Sequence, residues 1–192
     1  MKVSDLVLMS LDGELAYGKV RAGDAAFCIH SEIYKARDNI NSIAHAHLMY
    51  GKTFSTLGKT LDPISQDSCA FYERTALFAD YDGVANGPDE GINIAKALGD
   101  KDFVILQNHG ILTTGTMVDT TIWYFLNMED ACKSQLLAEA VGKPIVIPHE
   151  TACATRDYVA NDLSAYVSFQ PTVDVLWDCL LYTSDAADDA NC

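Results

Sequence analysis

The sequence predicts an α/β sandwich. Short runs of β-forming residues alternate with amphipathic stretches of helical period, turn dipeptides punctuate both, and 49% of the 192 residues are apolar, enough for a real core. That length and composition suit one compact domain.

The elements follow in chain order. Leu6 to Met9 and Leu15 to Tyr17 flank Asp12-Gly13, a dipeptide that favours a tight hairpin turn, so the chain is expected to open inside a sheet. Residues 27–37 carry Phe27, Ile29, Ile33, Tyr34 and Ala36 on one side of a helix that stops at Asp38-Asn39. A strand is expected over 42–47 and a helix over 48–57, with Gly58 after its end. Gly87-Pro88-Asp89-Glu90 has the proline and the acids that suit a first helical turn, and Gly99 ends that helix. Phe103-Val104-Ile105-Leu106 and Ile111-Leu112-Thr113-Thr114 read as two strands joined at Asn108-His109-Gly110. The longest helical pattern runs over 118–141, ends at Gly142-Lys143-Pro144, and is expected to cross the sheet. The hairpins mean that the sheet need not be parallel.

Charge and cysteine usage narrow the function. Thirteen basic residues against 27 acidic give a formal charge of −14, which disfavours a grip on nucleic acid or anionic lipid. No apolar stretch reaches the roughly 20 residues of a membrane-spanning helix. The six cysteines lack C-x-x-C spacing and no signal-peptide pattern precedes them, so they read as reduced thiols of a cytoplasmic protein.

After Pro171 the apolar periodicity collapses, and residues 179–189 (CLLYTSDAADD) carry no basic residue. They are either an acidic, disordered end or, as the string resembles, the translated adapter oligonucleotide of a sequencing library. The second reading confines the domain to residues 1–177 and makes 178–192 a non-native tail. Cys179 and Cys192 then have no biological meaning, and Asp178, Asp185, Asp188 and Asp189 do not count towards the native charge.

The chemistry lies in the histidines. His45 and His47 stand two apart on an extended strand, so both imidazoles point to one face and can serve one ion. His109 sits at the tip of a strand-turn-strand unit, where an apolar run delivers a lone polar side chain to the sheet's edge. Three imidazoles with a fourth position left for water or a reactant is the open arrangement of catalytic zinc, whereas a structural site is closed by a fourth residue.

Three runs, 30–37 (HSEIYKAR), 43–47 (IAHAH) and 105–110 (ILQNHG), resemble the class II aldolase/adducin signature in its usual order, over roughly residues 5–175. The resemblance implies a three-layer α/β/α sandwich around a largely antiparallel sheet, a homotetramer with sites at subunit boundaries, and zinc or another divalent ion held by His45, His47 and His109. It further implies lyase-like chemistry on a small hydroxylated carbonyl compound: aldol cleavage, decarboxylation or dehydration through a metal-stabilised enediolate.

The sugar-phosphate aldolases of that family carry a proton-transferring glutamate four residues before the histidine that matches His30, after two phosphate-holding serines. Here those positions are Ala26, Ala25 and Asp24, so the resemblance transfers the metal and withholds the acid/base. Glu32 faces away from the place of the missing group. Tyr72 lies in roughly the stretch where a neighbouring subunit's tyrosine assists protonation, and is otherwise a half-buried aromatic. His30 is a core histidine or a neighbour of the ligands. Asp67 is a carboxylate orienting a ligating imidazole or a solvated loop residue, and Asn108, with Gln107, orients the site or satisfies the turn. The phosphate-binding loops that the family carries upstream of Val3 have no counterpart, so the domain is expected to be truncated at both ends, with exposed sheet edge and poor solubility. The alternative is an adducin-like interaction domain that kept the fold and dropped the catalysis.

Overall fold

The computed structural model describes residues 5–81, 83 and 87–188, with side chains through Cys179. Among these residues six strands and six helices follow in the order β1 Leu8–Met9, β2 Leu15–Tyr17, α1 Asp24–Ala36, β3 Ser42–Ala46, α2 Met49–Ser55, β4 Thr75–Phe78, α3 Pro88–Leu98, β5 Phe103–Leu106, β6 Gly110–Gly115, α4 Val118–Val141, α5 His149–Val159 and α6 Asp162–Asp188. A 3₁₀ turn, Ser68–Phe71, precedes β4.

The central sheet has the order β3-β6-β5-β4, with β3/β6 and β6/β5 antiparallel and β5/β4 parallel. It is therefore largely antiparallel. Period-two alternation divides its side chains between two apolar cores. Phe103, Ile105, Ile111 and Ala44 face Phe54 of α2 and Tyr124, Phe125 and Met128 of α4. Val104, Leu106, Leu112 and Phe78 face Ile29 and Ile33 of α1 and Ile94 and Leu98 of α3. Helices thus cover both faces, which makes three layers. Since β5 is buried on both sides, it reads in sequence as an unbroken apolar run rather than an alternating one.

α1 and α3 approach closely because Gly91 has no side chain: a Cβ there would stand 2.2 Å from the carbonyl oxygen of Cys28. On the opposite face Glu129 of α4 accepts the backbone N–H groups of Tyr50 and Gly51 at 2.8 and 2.5 Å. It thereby satisfies donors that the first turn of α2 leaves without helical partners, and it fixes the chain just beyond His47.

Several expectations change. The β1–β2 hairpin forms at Asp12-Gly13 but stands as its own two-stranded sheet, because its residues are mostly exposed and offer no apolar face for the main sheet to cover. Helix α1 begins at Asp24, ahead of position 27, since Asp24 suits a first turn and Ala25-Ala26 are strong helix formers. Strand β4, α5 and α6 have no counterpart in the sequence reading. Helix α6 continues to Asp188 through Pro171, so the backbone of 178–188 is helical. Among the described residues no helix is long and apolar enough to cross a membrane, and Cys28, Cys69, Cys132, Cys153 and Cys179 are free thiols.

Candidate metal centre

The three imidazoles are brought together by strand register. β3 pairs with β6 so that Ala46 lies opposite Ile111, and Gly110 lies opposite Leu106 of β5. The end of β3 and the β5–β6 turn therefore share one end of the sheet. Asn108 makes the turn possible by adopting φ +58°, a left-handed conformation that asparagine tolerates, and its N–H donates to the Ser55 carbonyl at 3.3 Å. His109 follows it and swings towards the strand pair.

The ring centroids of His45 and His47 lie 5.1 Å apart, those of His45 and His109 4.8 Å, and those of His47 and His109 4.6 Å. One nitrogen from each ring falls within 4.8 Å of the other two. Three ligands of one tetrahedral zinc, with bonds of about 2.1 Å, stand about 3.4 Å apart, so the rings close in by up to about 1.4 Å to share one ion. Nδ1 of His45 lies 2.9 Å from the carbonyl oxygen of Ile111. A carbonyl only accepts, so Nδ1 carries the proton and Nε2 keeps its lone pair for an ion.

The electrostatics hold His45 and His109 in the ligating form. Burial, then the charges of His45 and His47, push His109 from 6.5 down to about 4. Burial lowers His45 as well; its bond to Ile111 opposes that shift and His47 adds to it. His30 on α1, pushed to about 4 by burial and then by His45, stands within electrostatic reach of the cluster. Neutral imidazoles bind divalent metals without first losing a proton, so the donor set fits such an ion.

The cluster opens into a cavity of about 280 Å³ walled by Ala25, Ala26 and Ile29 of α1 and by Tyr81. The Tyr81 ring lies 6.5 Å from that of His109. No cationic side chain lines the cavity among the described residues.

Two sequence candidates are not brought to the imidazoles within one chain. Tyr72 precedes β4, whose start pairs with Phe103, so it lies at the opposite end of the sheet from His109; its hydroxyl is 3.2 Å from Nδ1 of His149. Asp67 is exposed at the start of the 3₁₀ turn on that same side, and the Ile111 carbonyl, not Asp67, engages His45. Asn108 is exposed and shapes the turn. The Ile111 carbonyl and Tyr81 were absent from the sequence reading. Every residue has a carbonyl, so only strand register could single out Ile111, and Tyr81 follows a strand that was not anticipated.

A family model described as the class II aldolase and adducin N-terminal domain matches residues 1–136. The decarboxylase NovR of Streptomyces niveus is 38% identical over 167 residues, which are 85% of this chain and 62% of that protein. A protein of Streptomyces roseochromogenus subsp. oscitans, named 4-hydroxy-3-prenylphenylpyruvate oxygenase/4-hydroxy-3-prenylbenzoate synthase, is 37% identical over 169 residues, 88% of this chain and 61% of its own length. This chain thus spans less than two thirds of either curated relative. Among solved structures, L-fuculose 1-phosphate aldolase from Glaciozyma antarctica PI12 matches with a TM-score of 0.83 and 40% identity, covering 91% of this chain and 68% of that one.

Proposed function

The chain belongs to the class II aldolase and adducin family, and on that premise we propose that it is a zinc-dependent, lyase-like enzyme acting on a small hydroxylated or oxo carbonyl acid, with loss of carbon dioxide as the favoured reaction. The observation that carries the reading is the mutual approach of His45, His47 and His109, one nitrogen of each within 4.8 Å of the other two, at the mouth of an apolar cavity. A divalent ion held there supplies Lewis acidity towards a carbonyl oxygen.

The protein's own residues favour decarboxylation over aldol cleavage. Aldol cleavage needs a base to take the hydroxyl proton, and the α1 wall offers only the alkyl side chains of Ala25, Ala26 and Ile29. A 3-oxo carboxylate loses carbon dioxide without a base: the electrons of the breaking carbon–carbon bond pass to the 3-carbonyl as an enolate, and a proton donor then protonates its carbon. We assign that donation to the Tyr81 hydroxyl, since Tyr81 lines the same cavity. Tyr72 can serve only from a neighbouring subunit. The apolar wall and the absence of a lining cation among the described residues favour a substrate with an uncharged tail over a sugar phosphate. The names of the two Streptomyces relatives, a decarboxylase and a prenylphenylpyruvate-converting enzyme, support that class.

The test is carbon dioxide release from a panel of 3-oxo acids with uncharged tails, whose 3-carbonyl can take up the electron pair, beside aldol cleavage of sugar 1-phosphates. Activity that chelation abolishes, zinc restores and His45→Ala removes supports the reading. Turnover that survives chelation and both His45→Ala and His109→Ala overturns it. Ala26 also keeps a second reading in view, a non-catalytic adducin-like interaction domain. Co-sedimentation with actin at low salt, without turnover on any acid of the panel, would favour that one.

A further inference from the structure

A second group of ligating side chains lies at the other end of the sheet from the three imidazoles. Glu73 stands between the 3₁₀ turn and β4, while His149 and Cys153 are one helical turn apart on α5 and share a face. Nδ1 of His149 is 3.6 Å from Oε1 of Glu73, and Sγ of Cys153 is 3.7 Å from Oε2 of Glu73 and 3.8 Å from Nδ1 of His149.

These separations are informative as a set. The imidazole–carboxylate gap is too long for a hydrogen bond, and the thiol contacts are at best weak ones. They come close, however, to the spacings of ligands around zinc, about 3.4 Å between nitrogen and oxygen and about 3.6 Å from sulfur to either for bonds of about 2.1 and 2.3 Å, with the imidazole facing one carboxylate oxygen and the thiol the other, as a carboxylate binding through both oxygens presents them. A nucleophilic Cys-His-acid relay is a poorer description. In a relay the thiol engages one ring nitrogen and the carboxylate the other, whereas here the thiol stands almost equally far from both, 3.8 Å from Nδ1 and 3.9 Å from Nε2, and the carboxylate approaches Nδ1.

The surroundings hold the donors in place. Glu73 has φ +59°, unusual for a residue with a side chain, and Nζ of Lys101 donates to its carbonyl oxygen at 2.8 Å. Nη1 of Arg156 holds Oε2 of Glu73 at 3.3 Å while Oε1 stays turned to the imidazole. The Tyr72 hydroxyl, 3.2 Å from Nδ1 of His149, stands at the spacing of a fourth ligand.

We propose that Glu73, His149 and Cys153 form a second divalent-cation site, selective for a thiophilic ion of the zinc class, which ties α5 to the start of β4. This site is independent of the three imidazoles and of the reaction assigned to them. Its cysteine makes it spectroscopically separable, because a His₃ centre has no sulfur.

The test uses the full chain, stripped with chelator and titrated with Co²⁺ alone. We expect two equivalents to bind, with a thiolate-to-cobalt charge-transfer band in the near ultraviolet that also appears in His45→Ala and His109→Ala. Cys153→Ser, with Cys153→Ala as a second variant, should lose the band and retain one equivalent, with an unchanged far-ultraviolet dichroism spectrum. His149→Gln should weaken the band's titration at least tenfold. Absence of the band at saturating Co²⁺, or its persistence in the Cys153 variants, overturns the proposal.

Discussion

Replacing Gly91 with alanine tests how closely the wall of the cavity depends on helix packing. In a solvent-facing helix that substitution stabilises by about 1 kcal/mol through propensity. Here the added Cβ would stand 2.2 Å from the Cys28 carbonyl oxygen and 2.9 Å from its carbon, backbone atoms that no rotamer change can move aside. Ordinary contact needs about 1 Å more, so α1 and α3 must separate by roughly that distance, at a cost of about 1–3 kcal/mol. Because α1 carries Ala25, Ala26 and Ile29, the wall retreats with it. We expect urea denaturation to show a lower midpoint with an unchanged slope, together with a several-fold higher KM. A midpoint at or above that of the parent chain would refute the packing argument.

Other perturbations have equally definite outcomes. Glu129→Ala strands the N–H groups of Tyr50 and Gly51, and should cost about 1–3 kcal/mol by denaturation and weaken metal retention, since α2 begins just after His47; Glu129→Gln should recover part of both losses. The metal-free protein should lose stability as pH falls from 6.5 to 4. In that window the unfolded chain protonates His30 and His109 while the folded chain, with both near 4, does not, and His30 contributes at most about 3 kcal/mol. Urea midpoints at pH 7 and pH 4.5 that coincide would contradict the buried neutral state of these rings. Tyr81→Phe should lower kcat by about 10²- to 10⁴-fold with metal content unchanged, and an unaltered kcat would remove Tyr81 as the proton donor.

What the sequence revealed follows from where each signal resides. Helices α3 and α4 were legible because proline, acids and glycine mark their ends, and the β5–β6 hairpin because an apolar run breaks at Asn108-His109-Gly110 and resumes. The pair His45 and His47 was legible because period-two geometry is local. β4 was not: Thr75–Phe78 is short, follows a 3₁₀ turn and owes its place to a parallel partner almost thirty positions later. That omission hid Tyr81, which follows β4 at the end of the sheet that carries the imidazoles, and with it the fact that Tyr72 lies at the other end, from which it can reach such a site only in a neighbouring subunit. Asp67 failed for a related reason: orientation of His45 falls to a main-chain carbonyl supplied by the neighbouring strand.

The most direct measurement is a zinc-edge X-ray absorption spectrum of the Cys153→Ser chain carrying one equivalent of zinc, which isolates the imidazole centre. We expect a shell of nitrogen and oxygen at about 2.0–2.1 Å, with outer-shell scattering of three imidazoles, that loses one imidazole or the metal itself in His109→Ala. A spectrum with fewer than three imidazoles, or one that His109→Ala leaves unchanged, would contradict the claim that these three rings hold one ion.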